Sequence, residues 1–121
     1  MGRTVRFAEN FAVNLERIRA FLLERDPASA VRLFAGLLAD VDRAAALLGD
    51  QPGIGRSAAF LSSRAPKILA ALGRVREVQD RAGVDELREY VLRGYLVLYA
   101  VRPVEIVFLS IRAQRERGYD L

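Results

Sequence analysis

The sequence predicts an α+β fold. An N-terminal strand, an αα-hairpin and an additional helix precede a three-stranded antiparallel meander, and the first strand completes a four-stranded sheet. Three observations carry this. Apolar residues recur at helical spacing between residues 11 and 48, broken once at Asp26-Pro27. From Asp85 onward the period shortens and β-branched residues become common. Ahead of both, Thr4-Val5-Arg6-Phe7 reads as a short strand. Its backbone groups need a partner, and an edge of the later sheet supplies one.

The elements follow in order. Phe11, Leu15, Ile18 and Leu22 lie on one stripe, with charged residues between them, which makes the first helix amphipathic. Asn10 starts that helix or lies just inside it. Asp26 is placed to cap a second helix and Pro27 suits its first position. Val31, Phe34, Leu38, Val41, Ala45 and Leu48 form the second apolar stripe, and Gly49 is expected to end it in the left-handed conformation. So short a connection makes the two helices antiparallel. Pro52-Gly53-Ile54-Gly55-Arg56 reads as a turn. It lacks the preceding strand and the Lys-Ser/Thr of a phosphate-binding loop.

The spacing predicts a third helix over 65–81, with Ile68, Leu69, Leu72 and Val75 as its apolar face. Strands follow over 87–92, 95–101 and 104–112, joined by turns at Arg93-Gly94 and Arg102-Pro103. The polar tail from Arg115 onward is expected at the edge of the sheet. The whole chain reads as a single domain over 1–121, with an insertion at about 57–83.

Alternation assigns the two faces of the sheet. Val107, Leu109 and Ile111 form the purely aliphatic side of the last strand and are expected to meet the helices. Tyrosine hydroxyls need a partner or water. Tyr95 and Tyr99 are therefore expected on an open face, with Arg88, Tyr90, Phe108 and Arg112. Such an amphipathic, basic face invites a partner. The competing reading is that the insertion covers this face and makes it core.

Composition narrows the chemistry. With 52% hydrophobic and 28% charged residues, the 121-residue chain can fold as a globule without a staple. It contains neither cysteine nor histidine. That removes disulfides, thiolate nucleophiles, His/Cys zinc sites and histidine bases. No metal or cofactor is expected. There is no signal-peptide pattern at the N-terminus and no run of about 20 apolar residues, so a cytoplasmic protein without membrane contact is expected. Residues 1–52 hold seven arginines and seven acids; the net charge of +4 lies wholly in residues 53–121. Eighteen of the nineteen basic residues are arginine, which pairs bidentately with carboxylate and phosphate. A basic C-terminal half suits an acidic protein or a nucleic acid.

Three segments carry a family likeness. Leu47-Leu48 runs into Pro52-Gly53-Ile54-Gly55-Arg56. Leu87-Arg88-Glu89-Tyr90-Val91 is followed by Gly94-Tyr95-Leu96-Val97-Leu98-Tyr99. Leu109-Ser110-Ile111-Arg112-Ala113-Gln114-Arg115-Glu116 precedes Gly118-Tyr119. In this order, and outside about residues 58–84, the chain resembles the RelE/ParE superfamily, the toxins of type II toxin–antitoxin systems. The resemblance implies a growth-inhibiting, plasmid-stabilisation-type toxin. It also implies a small cognate antitoxin whose acidic or amphipathic C-terminal segment folds on binding. Antitoxin contacts are then expected at Arg88, Tyr90, Tyr99, Phe108 and Arg112. Phe21 and Phe34 of the hairpin are further candidates, although a place in the core is the expectation for both. Target contacts are expected at Arg112, Arg115, Arg117 and Tyr119; the competing reading of that tail is a solvated end.

Two departures bear on activity. Ala113 stands where the closing motif often has histidine, and Leu96 stands where RelE-like ribonucleases place a basic residue. The resemblance therefore favours the ParE-like branch, which binds DNA gyrase and traps its cleaved DNA complex with no chemistry of its own. The alternative is a RelE-like ribonuclease acting on ribosome-bound mRNA, with Arg112, Arg115 and Arg117 holding phosphate and Tyr119 assisting proton transfer. A third reading is a non-toxic binding domain that keeps the fold.

Overall fold

The computed structural model describes residues 2–58 and 86–115. The elements are β1 (Thr4–Phe7), α1 (Glu9–Arg25), α2 (Pro27–Asp50), a 3-10 turn (Pro52–Ile54), β2 (Arg56–Ser57), β3 (Glu86–Leu92), β4 (Tyr95–Val101) and β5 (Glu105–Ala113). The third helix expected over 65–81 lies outside the described residues, as does most of the insertion. The architecture is mixed α+β, as the change of period predicts. Among the described residues, no helix is long and apolar enough to cross a membrane.

Among the described residues the sheet has five strands, not four, in the order β1-β5-β4-β3-β2. The extra strand comes from the segment expected to be a plain turn: Arg56 and Ser57 pair antiparallel with Glu89 and Arg88. Two residues are too few to show a period of two, so the sequence pattern could not reveal this strand. β3, β4 and β5 form the expected antiparallel meander. β1 does find its partner at an edge, running parallel to β5 with Thr4 opposite Glu105 and Phe7 opposite Phe108. A cluster of charges fastens that edge. Glu105, nearly buried, lies 3.6 Å from Arg6 and 3.5 Å from Arg102. Arg3 donates to the Arg102 carbonyl at 2.9 Å.

The helix ends differ in detail from the sequence expectation. α2 starts at Pro27, but the Asp26 side chain makes no capping bond. The Asp26 carbonyl instead accepts from the Ser29 and Ala30 amides. Gly49 does not end α2 in a left-handed conformation; it lies inside the helix, one residue before its end. Its bare Cα admits β1 instead, since a Cβ would sit 3.1 Å from the Arg3 carbonyl oxygen and 3.3 Å from Val5. The one positive φ among the described residues is Gly94 at +81°, in the β3–β4 turn where Arg93-Gly94 is expected.

The largest correction concerns which side of the sheet meets the helices. Tyr99, Phe108, Ile106, Val97 and Ile111 pack with Phe11, Leu37, Val41 and Leu48 of the helical hairpin, and Tyr90 and Tyr95 border that core. Leu96, Leu98, Ala100, Val107 and Leu109 form a second buried cluster on the opposite side, with Ala8 and Ala58. Val107 and Leu109 thus face away from the helices, and the expected open face of Tyr90, Tyr95, Tyr99 and Phe108 is the helix-facing core.

A β-bulge explains why strict alternation misleads. Leu98 pairs with Ser110 but Tyr99 pairs with Phe108, which leaves Leu109 as the additional residue. Beyond that point the facing of β5 is shifted by one, so Ile111 shares a side with Phe108 and Ile106. The displaced backbone is held by α1. Asn10 Nδ2 donates to the Leu109 carbonyl at 3.1 Å. Asn14 Oδ1 accepts from the Ser110 hydroxyl at 2.8 Å and from the Ile111 amide at 3.1 Å. Asn14 is 4% exposed and Ser110 is fully buried, so these groups have no recourse to water.

Asn14→Ala would leave two buried donors without their acceptor. We expect a loss of about 2–4 kcal/mol in unfolding free energy, read from urea midpoints at unchanged slope. Asn10→Ala, at a half-buried position, should cost about 1 kcal/mol. Equal effects from the two substitutions would argue against Asn14 as the principal clamp.

Candidate functional site

The residues expected to contact an antitoxin fall into two groups. Tyr99 and Phe108 are fully buried and offer no surface to a partner. Tyr90 is half-buried on the helix side. The expectation for Tyr99 failed on its premise, because its hydroxyl finds protein partners in place of water. It donates to the Pro52 carbonyl at 2.7 Å and accepts from the Gly55 amide at 3.1 Å.

Arg88 works on the same loop. It donates to the Gly55 carbonyl at 2.7 Å and to the Gly53 carbonyl at 3.0 Å, and pairs with Glu86. The Glu86 carboxylate raises the pKa of the Arg88 guanidinium further. Arg56, directly opposite Glu89, donates to that buried carboxylate at 2.7 Å. Gly55 is required by this close approach. A Cβ there would collide with the Tyr99 hydroxyl and lie 2.5 Å from the Glu89 carbonyl oxygen. The Pro-Gly-x-Gly-Arg segment is thus a latch that ties the end of α2 to the sheet, with Arg88 and Tyr99 as its catches.

The remaining arginines meet elsewhere. A cleft of about 730 Å³ opens between α1, the start of β4 and the end of β5. Asn14, Arg17, Ile18 and Phe21 line it from α1. Gly94, Tyr95 and residues 111–115 line it from the sheet. Two expected target-binding residues, Arg112 and Arg115, are therefore brought together. Arg117 and Tyr119 lie outside the described residues. The Arg112 guanidinium curls over the strand end, donating to the Ala113 and Gln114 carbonyls at 3.3 and 3.4 Å.

Arg17 is the part of this cleft that sequence reasoning missed, and Phe21, a candidate contact expected in the core, is the part it misplaced. Phe21 is not core but 45% exposed, with the Arg25 guanidinium 5.5 Å from its ring centroid. Phe34 is half-buried against the helix-side core. A signal was present: positions 14, 17, 18 and 21 lie on one helical stripe, and Phe21 falls beside the stripe of Phe11, Ile18 and Leu22. Nothing local says that β5 ends against that stripe.

The cleft joins three cations to an apolar floor. Among its described lining residues none is acidic, and Arg17, Arg112 and Arg115 are all arginine. Ile111 is almost fully buried at its base. The arrangement is chemically suited to hold an anionic group beside an apolar one. No group of three or more His, Cys, Asp or Glu side chains among the described residues is placed to hold a metal.

The latch makes a pH-dependent prediction. Burial raises the pKa of the Tyr99 phenol above its ordinary value of 10.0, against the opposing pull of the Gly55 amide and Arg88. The folded state therefore holds this proton more tightly than the unfolded one. Its contribution is complete below pH 10.0 and is lost as pH rises through the folded-state value. Tyr99→Phe should cost about 1–3 kcal/mol at neutral pH and show a shallower alkaline decline than the parent, both measured by urea denaturation across pH. A parallel decline in the two proteins would remove Tyr99 as its source.

Compared with known proteins, the chain matches no protein-family model and no curated protein.

Proposed function

We propose that this chain is the toxin of a type II toxin–antitoxin system, of the RelE/ParE type. In this reading it is neutralised by a cognate antitoxin and acts by binding DNA gyrase. The observation that carries the reading is the meeting of Arg112 and Arg115 at one cleft, on the closing-strand motif that bears the family likeness. The arrangement of elements supports it: β1 lies against the last strand of the meander, with the helical hairpin packed on one side. Leu96 favours the ParE-like branch over a ribonuclease. At the position where the ribonucleases carry a basic residue, it is 5% exposed in the far-side core. It supplies no charge to a phosphate.

Induced expression without an antitoxin tests this reading. Growth arrest with double-strand DNA breaks and intact messages is the expected result. Arrest with cleaved messages and intact DNA would replace gyrase binding with ribosome-dependent cleavage. Unimpaired growth with soluble protein present would overturn the toxin reading. Arg112→Ala combined with Arg115→Ala should relieve arrest at equal expression, with circular dichroism establishing that the variant is folded.

A further inference from the structure

We infer that the outward face of α2 is a self-association surface. Two copies of this chain pair there through antiparallel α2 helices, about a two-fold axis level with Leu37. The inference does not rest on the toxin reading.

Between Asp26 and Asp40, Arg32 is the one charged residue of α2. The core takes only one side of this apolar stretch, where Ala30, Leu37, Val41, Ala44 and Leu48 are buried. The other side is left to solvent. Val31 is 78% exposed, the highest value of any large hydrophobic among the described residues, and Leu38 is 39% exposed. Ala28, Ala35 and Ala46 are exposed as well, and helical spacing sets them along the side opposite the core. A helix apolar on its inner and outer sides alike is one that buries both.

Charge complementarity selects the occupant. Arg32 and Asp42 lie on this outward face, and neither has an ion pair or hydrogen bond among the described residues. They stand about 15 Å apart along the helix, too far to meet one another. The neighbouring Asp40 and Arg43 are already paired with each other. A second α2, laid antiparallel about an axis level with Leu37, brings Arg32 of each copy opposite Asp42 of the other. The same axis sets Ala35 opposite Ala39 and Ala28 opposite Ala46. Small side chains then meet along the centre line and let the helices approach closely, with Leu38 beside its own counterpart on the flank. A two-fold contact requires a face that reads alike from both ends, and every pair is then made twice. A lipid surface imposes no such pattern and favours a basic polar face, whereas this one carries a free charge of each sign.

Sedimentation equilibrium on the full chain, across a range of concentrations, tests the inference. The parent protein should pass from monomer to dimer as concentration rises. Arg32→Asp and Asp42→Arg should each weaken the dimer about tenfold, and the two combined should restore it to within about twofold. Ala35→Gln, an uncharged change on the centre line, should also weaken it about tenfold. Glu24→Arg, an exposed reversal on α1, should change it by less than about twofold and controls for net charge. The substituted residues are all exposed, and circular dichroism with urea midpoints of the monomers establishes that the variants are folded. A monomer at every concentration would overturn the inference and leave the face to a different partner. A dimer indifferent to Ala35→Gln would overturn it by moving the contact elsewhere. Failure of the combined reversal to restore the dimer would overturn the antiparallel pairing on which it stands. Growth arrest by a monomeric protein removes only this inference; a dimer that leaves growth unimpaired removes only the toxin reading.

Discussion

The hold of Asn14 on the β5 bulge is the constraint on which the rest of this structure depends. A bulge inside a core strand exposes backbone groups that neither the neighbouring strand nor water can satisfy. Here α1 supplies the missing partners, with Asn10 and Asn14 one helical turn apart. This fixes how α1 lies along β5. It decides which side chains of β5 meet the hairpin. It also sets the spacing between Arg17 on the helix and Arg112 at the strand end, and so the width of the cleft. A polar side chain at a buried helix position thus serves an architectural need, and the cleft is its by-product.

The second polar device works at the opposite edge of the sheet. Arg88 and Tyr99 converge on the turn after α2, and Arg56 neutralises the buried Glu89 carboxylate. Each of these groups is paired with backbone or opposite charge, as burial demands. The arginine-rich composition is therefore divided. Some guanidiniums hold loops and edges together, and Arg112 folds over the end of its own strand, whereas Arg17, Arg112 and Arg115 also line the cleft.

Much of the fold was legible in the sequence. Thr4–Phe7, the break at Asp26-Pro27 and the Arg93-Gly94 turn each carry local chemistry that leaves few alternatives. The facing of the sheet was not legible, because alternation says which residues share a side only while the strand remains regular. Leu109 looks like any other apolar strand residue, and its role as the additional one is set by pairing with β4. Tyr99 misled for a related reason. A phenol in a strand suggests solvent, and its backbone partners come from residues 52–55, more than forty positions away. Of the candidate site, Arg112 and Arg115 were legible from the closing motif. Arg17 was not, and Phe21 was named as a candidate but expected in the core, since only tertiary packing brings α1 to the end of β5.

The parallel seam between β1 and β5 has a kinetic meaning. Thr4 finds its partner at Glu105, so nearly everything described here lies between the two halves of one ladder. Local pieces such as the helical hairpin and the meander can form early, because their contacts close short loops. The first strand must wait, unpaired, until the last has been synthesised. During elongation on the ribosome the meander would expose a bare β5 edge, and the N-terminal segment would be a free strand. Closure of the sheet by β1 is then the step that converts a collection of local structures into a single cooperative unit.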